Sequence, residues 1–228
     1  MTRAGPDSRF VVPANNGYSQ VVRQLIIALA FLPLVSACDS GQQPPAASQA
    51  APPVQPAVAA PVVASSAFSQ VVELQGVSFT VECPNDGPRN TLTVTPAGLE
   101  IDNSRWSQEV DGVVIGAEVA DLNVDGSPEV YVYVRSPADD ATGSVVGYVA
   151  NNRKSLSMAY LPPLTETPDA AKGYRGHDEF AVLEGVLGRR FPIHDERGAP
   201  TGKLRQLQYK LTAGEAGWIL ALDTSTEF

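Results

Sequence analysis

The sequence predicts an all-β domain, an antiparallel β-sandwich or flattened barrel, on three observations. Apolar residues recur with period two from about residue 69 onward, turn residues separate these runs, and no long stretch carries helical spacing. Val77, Phe79 and Val81 share one face, with Ser78, Thr80 and Glu82 opposite. Val113, Ile115, Ala117 and Val119 form the next apolar face, then Val130, Val132 and Val134, backed by Tyr131 and Tyr133. "SVVGYVAN", "EFAVLEGVL" (taken as one strand), "RQLQYKL" and "WILAL" continue the pattern. The runs are punctuated by Asn85-Asp86-Gly87-Pro88, Pro96-Ala97-Gly98, Asp111-Gly112, Asp125-Gly126 and Ala213-Gly214-Glu215-Ala216-Gly217. Residues 162–177 read as a long loop with one turn of helix, and no repeat of constant period is present.

The chain divides into three parts. Residues 24–37 form an apolar run preceded by Arg23 and ending in Ser36-Ala37-Cys38. That run is too short to span a bilayer and has the pattern of a lipoprotein signal, cleaved before Cys38 with lipid on the thiol. The expected signal peptide is therefore 1–37, with translation starting near 21–22 as an alternative to Met1. Residues 38–68 are rich in Pro and Ala and nearly uncharged, so they read as a disordered tether with extended polyproline character. At roughly 3.1 Å per residue, about 28 residues of such a segment reach on the order of 85 Å. Residues 69–228 are long enough for one domain with its own core.

Composition narrows the function classes. With Cys38 lipidated, Cys83 has no intramolecular partner, which excludes a disulfide framework and leaves Cys83 as a small buried hydrophobe. The formal net charge is −9, and removing 1–37 takes away Arg3, Arg9, Arg23 and Asp7, giving −11. So acidic a surface argues against nucleic acid and against anionic lipid, leaving the membrane contacted through the lipid anchor alone. The expected location is the periplasm, anchored to the inner or the outer membrane.

Catalytic signals are sparse. The two histidines, His177 and His194, form no metal-binding pair, and no nucleophile elbow, phosphate loop or dinucleotide fingerprint occurs. His177, Asp178 and Glu179 are adjacent, but strand neighbours point to opposite faces and do not converge without a special turn. The expectation is no enzyme. Asp121, Asn123, Asp125 and Gly126 occupy positions 1, 3, 5 and 6 of a calcium loop, with Glu129 at position 9 as the closing carboxylate. Position 12 is Val132, which excludes an EF-hand. Turn chemistry alone explains the same residues, because Asp and Asn favour turns and three surface carboxylates tolerate one another in water. No cofactor is the favoured reading and calcium the lesser one.

The blocks "AEVADLNVDGSPEVYVYVRS", "GSVVGYVANNRKSLSMAYLPPL", "GYRGHDEFAVLEGVLGRRFPI" and "APTGKLRQLQYKLTAGEAGWIL" resemble the periplasmic inhibitors of invertebrate-type (I-type) lysozyme. The resemblance runs from about Val72 to Asp223. It implies an antiparallel β-sandwich, often dimeric, without enzymatic activity and without need of metal, that blocks a lysozyme cleft with a protruding loop. By this resemblance the lysozyme-binding loop is 136–144, with Ser136, Asp139, Asp140, Thr142, Gly143 and Ser144 as its candidate contacts. The family loop pairs a serine with a tyrosine. Here the loop holds no tyrosine, and Tyr148 falls in the strand that follows. A tethered binding module for another protein or a cell-wall ligand is the second reading.

Overall fold

The computed structural model describes residues 67–228. The expected signal peptide, Cys38 and all but the last two tether residues lie outside the described residues. The first four strands, β1 (Phe68–Leu74), β2 (Val77–Cys83), β3 (Arg89–Ala97) and β4 (Trp106–Asp111), form one antiparallel sheet in sequence order. The remaining strands are β5 (Val113–Ala120), β6 (Glu129–Arg135), β7 (Gly143–Asn151), β8 (Ser155–Tyr160), β9 (Glu179–Leu183), β10 (Val186–His194), β11 (Pro200–Gly214) and β12 (Gly217–Glu227). They form a second sheet in the order β5-β6-β7-β8-β12-β11-β10-β9. It is antiparallel except where β12 meets β8, with Trp218 opposite Ala159 and Ile219 opposite Tyr160. A 3-10 turn, Leu164–Glu166, and the short helix α1, Pro168–Ala171, occupy the segment read as a loop with one helical turn.

Two cores follow from this arrangement. The four-stranded sheet lays Val77, Phe79, Val81, Leu92 and Val94 onto Val130, Val132, Val134, Tyr148 and Ala150 of the second sheet. Cys83, a free thiol, is buried in the same layer. The second sheet curls round into a nearly closed, barrel-like form with its own core of Tyr131, Tyr133, Leu187, Phe191, Leu207, Tyr209 and Leu220. Strand β6 belongs to both. Its valines face the sandwich, its tyrosines face the barrel interior, and every residue from Glu129 to Val134 is buried.

Two details differ from the sequence reading. "EFAVLEGVL" is a hairpin rather than one strand, because Glu184-Gly185 turns the chain between β9 and β10, with Gly185 at φ 70°. In β5, a bulge between Val114 and Gly116 breaks the alternation, so Val114 is buried and Ile115 is 44% exposed. One extra residue on a bulged strand reverses which side chains face inward beyond it.

The open edges β5 and β9 are bridged by a side chain. Glu118 of β5 accepts hydrogen bonds from the Val182 backbone N–H of β9 at 2.6 Å and from the Tyr133 hydroxyl of β6 at 2.5 Å. An edge strand left bare is a template for foreign pairing, and a carboxylate placed there both bonds and repels other strands. Glu118→Ala is expected to destabilise the domain by about 1–3 kcal/mol, as loss of a partly buried charged acceptor does. Urea unfolding measures this, and amide exchange at Val182 should quicken; an unaltered midpoint would show that the edges hold together without Glu118.

Candidate functional site

The candidate loop 136–144 comprises the β6–β7 connection, residues 136–142, and the first two residues of β7, Gly143 and Ser144, which pair with Arg135 and Val134. It stands at one end of the doubly buried strand. Pro137, Ala138, Asp139 and Asp140 are exposed. The loop closes on itself through Ser136 N–H to the Thr142 carbonyl and Ala141 N–H to the Ala138 carbonyl, each 2.8 Å. The Asp140 carboxylate is spent inside the loop, accepting from the Thr142 hydroxyl at 2.8 Å and from its backbone N–H at 3.2 Å. Ser136 Oγ accepts from Ala138 N–H. Of the candidate contacts, Asp139, Asp140 and Ser144 are thus exposed, while Ser136, Thr142 and Gly143 help to shape the loop.

The loop is braced from below by the segment that carries His177, Asp178 and Glu179. The Asp178 carboxylate, fully buried, accepts from Gly143 N–H at 2.7 Å, from the Tyr174 hydroxyl at 2.5 Å and from Arg189 Nε at 2.7 Å. These are charge-assisted bonds with both oxygens engaged, the condition under which a buried ion pair holds together. The Arg189 guanidinium also lies 5.1 Å from the Tyr174 ring centroid and 5.4 Å from that of Phe180. Burial works against the Arg189 charge, but Asp178 outweighs it and the guanidinium is held more firmly protonated. Burial and the bond to Asp178 push the Tyr174 phenol up to about 12.

Backbone geometry completes the brace. His177 N–H donates to the Asp140 carbonyl at 2.7 Å. Gly176, at φ 85°, passes so close that a Cβ there would overlap the Asp140 carbonyl oxygen. At Gly143 a Cβ would come within 2.7 Å of Asp178 Cβ and 2.9 Å of the Phe180 ring. His177, Asp178 and Glu179 form no acid/base cluster. His177 is exposed, Asp178 is committed to Arg189, and Glu179 pairs with Arg190 at 2.6 Å. His177, at φ 58°, and Asp178 precede β9 rather than lying in it, so separate partners and not strand alternation keep the three apart, and two of them serve as structural anchors. Arg189, Tyr174 and Gly176 were not among the residues singled out as site candidates, and Asp178 was weighed only as part of an acid/base trio. Their one sequence signal is Arg189-Arg190 inside the apolar strand "VLGRRFPI", since buried arginines need partners.

The other end of β6 carries the loop from Asp121 to Pro128. Asp121 accepts from the N–H groups of Asp125 and Gly126, each 3.0 Å, and from Gln75 Nε2 at 2.8 Å. Asp125 accepts from Ser127 N–H and from Asn123 Nδ2, each 2.8 Å. Val124 is 82% exposed and sits at φ 57°, a conformation that β-branched residues rarely adopt. The carboxylates are not all at the surface. Glu129 is 0% exposed, its Oε2 accepts from Leu122 N–H at 2.8 Å, and its oxygens lie close to Asp121 and Asp125. Oε1 has no partner in hydrogen-bonding geometry among the described residues, nor has the Tyr131 hydroxyl beside it. Burial, assisted by the charges of Asp121 and Asp125, pushes the Glu129 carboxyl up to about 8 against the opposing Leu122 N–H. Like charges at this separation cost about 1 kcal/mol per pair in water and several-fold more once one is buried.

A third feature is an open groove of about 480 Å³ where β7, β8 and β12 meet, lined among others by Val145, Met158, Tyr160, Leu161, Trp218 and Ile219. Met158 and Tyr160 are 49% and 53% exposed. It lies along the one parallel strand pair of the sheet.

The brace yields a sharp contrast in stability. Asp178→Ala should cost about 3–5 kcal/mol, because it leaves the Arg189 charge buried without its main partner. Asp139→Ala should stay within about 0.5 kcal/mol, as exposed substitutions do. Gly176→Ala should shift the NMR signals of residues 137–142 while sparing those of 121–128. Urea unfolding and a two-dimensional amide spectrum measure all three, and equal stability of the Asp178 and Asp139 variants would show that the brace is idle.

Comparison with known protein families, with characterised proteins and with solved structures finds no match to this chain.

Proposed function

We propose that this protein inhibits an I-type lysozyme by placing loop 136–144 in the enzyme's active-site cleft, and so shields peptidoglycan. The observation that supports this most is the combination of an exposed loop tip and a buried ionic brace beneath it. A loop held by Asp178, Arg189 and His177 N–H before its partner arrives has little ordering entropy left to lose on binding. The resemblance of the sequence blocks supplies the target, and the all-β fold agrees with what that resemblance implies.

The tip is acidic, which constrains how it docks. Asp139 and Asp140 would be repelled by the catalytic carboxylate pair of a glycosidase. They fit instead against basic groups on the cleft rim, while Pro137 and Ala138 fill the entrance. Occlusion is then steric, and the charges govern encounter and orientation more than residual affinity. A lipid on Cys38 and a tether on the order of 85 Å, by the extended-chain estimate, would keep the inhibitor beside the wall it protects. The second reading, a tethered module for another protein or wall fragment, is favoured by the groove at Met158, Tyr160 and Trp218, which offers the aromatic contacts the loop lacks.

The deciding experiment is inhibition of a panel of I-type and chicken-type lysozymes by the purified protein. Selective inhibition of the I-type enzymes is expected, and the double variant Asp139→Ala, Asp140→Ala should weaken it about ten-fold, as loss of a charged interface pair does. Inhibition of none of the enzymes would sink the proposal. An unchanged inhibition constant in the double variant would move the contact away from the acidic tip.

A further inference from the structure

We propose that the β5–β6 loop is a calcium site, with Asp121, Asp125 and Glu129 as its carboxylate ligands. Acidic residues crowd together on many turns without binding anything. What distinguishes this cluster is Glu129, which has no exposed surface, yet presents an oxygen, Oε1, with no partner in hydrogen-bonding geometry among the described residues, the Tyr131 hydroxyl being its polar neighbour. One oxygen from each of the three carboxylates lies within 4.8 Å of the others. None of the ion pairs among the described residues involves any of the three. Buried oxygens are bonded as a rule, so a buried carboxylate with an unbonded oxygen, standing beside two further carboxylates, is a place for a cation.

The donor set selects the ion. Every candidate ligand is oxygen, with no imidazole or thiolate in the cluster, which suits a hard cation and disfavours zinc or copper. Ligands carried on a short loop and a strand start, with Asp125 exposed to solvent, leave room for water and for irregular coordination. Calcium accepts six to eight oxygens in flexible geometry, whereas magnesium demands near-ideal octahedral placement. Asn123 holds Asp125 in place through its amide, and Gln75 of the β1–β2 turn holds Asp121, so the ligands are positioned before any ion arrives. The competing arrangement is local: a small rotation would let the Tyr131 hydroxyl donate to Glu129 Oε1, and no ion would then be needed.

The test uses the full chain, stripped of metal by a chelator, with calcium added up to a few millimolar. Calorimetric titration should show one calcium per chain, and the unfolding midpoint should rise by about 5 °C or more at saturation, as a ligand of the folded state requires. Magnesium at the same concentration should give a clearly smaller rise. Glu129→Gln and Asp125→Asn should each abolish most of the calcium shift, while Tyr131→Phe should keep it. Should Glu129→Gln fail to fold, the exposed Asp125→Asn variant carries the test alone. No calcium response in the unaltered protein, or a response undiminished in Asp125→Asn, overturns the site; an equal response to magnesium overturns its assignment to calcium.

Discussion

Strand β6 has no face toward water, and this single constraint organises the domain. Val130, Val132 and Val134 meet the four-stranded sheet, while Tyr131 and Tyr133 fill the curled sheet. Side chains alternate strictly along a strand, so a slip of one residue would exchange these two sets and bring the valines into a space built for rings. Register is thereby fixed at both ends. Glu129 must enter on the tyrosine side, and Arg135 must leave toward loop 136–144. Seven residues at about 3.3 Å each place the two loops roughly 20 Å apart. Sites that far apart with no shared partner act additively, so loop 121–128 and the exposed acidic loop are separate devices on one rigid rod.

The buried charges all belong to the curled sheet. The layer between the two sheets is apolar apart from a few side chains at its margin, such as Asn85 and Asn90, which bond to backbone carbonyls. The curled sheet instead carries the buried Glu129, Asp178, Arg189, Arg190 and Arg205, and the half-buried Glu118. Burying a charge rarely adds net stability, since desolvation offsets most of the Coulomb gain. What each charge does here is geometric. Glu118 joins the two edge strands that backbone pairing leaves apart, and Asp178 ties β7, β10 and the Tyr174 segment to one carboxylate. A curled sheet that does not close by hydrogen-bond ladders needs such point contacts to settle its curvature.

Most of the strand layout was legible in the sequence, because half-buried strands write their faces into every second residue. Where that signal failed, the cause was local. The β5 bulge shifted Ile115 outward, and its one local signal was Gly116, an isolated glycine within the strand. The turn at Glu184-Gly185 was hidden because Val182-Leu183 and Val186-Leu187 are apolar on both sides of it. Strands β1, β3, β4 and β8 were not picked out, their alternation being diluted by Thr, Gln and Ser. The spacing of Asp121, Asn123, Asp125 and Glu129 was visible, but the burial of Glu129 was not. That burial depends on β6 being covered from both sides, a tertiary fact. Likewise, Asp178 lies 35 residues from Gly143, and no short-range pattern links them.

The missing tyrosine in loop 136–144 and the brace beneath it bear on each other. An aromatic anchor gains affinity from buried area, and that gain offsets the ordering of a mobile loop. A loop without one must reach its binding shape at little cost, or it will not bind tightly at all. The brace does this work in advance: Gly143 N–H, the Asp140 carbonyl and the Asp140 carboxylate are each bonded in the free protein. On the proposed reading, affinity should therefore depend on residues that never touch the target. Arg189 and Tyr174 would act through Asp178, and Gly176 through the Asp140 carbonyl, by keeping the tip in the shape the cleft accepts. A drifted binding module would not require this, because its recognition through the groove at Trp218 does not involve the shape of loop 136–144. The two readings thus separate at the brace as well as at the tip.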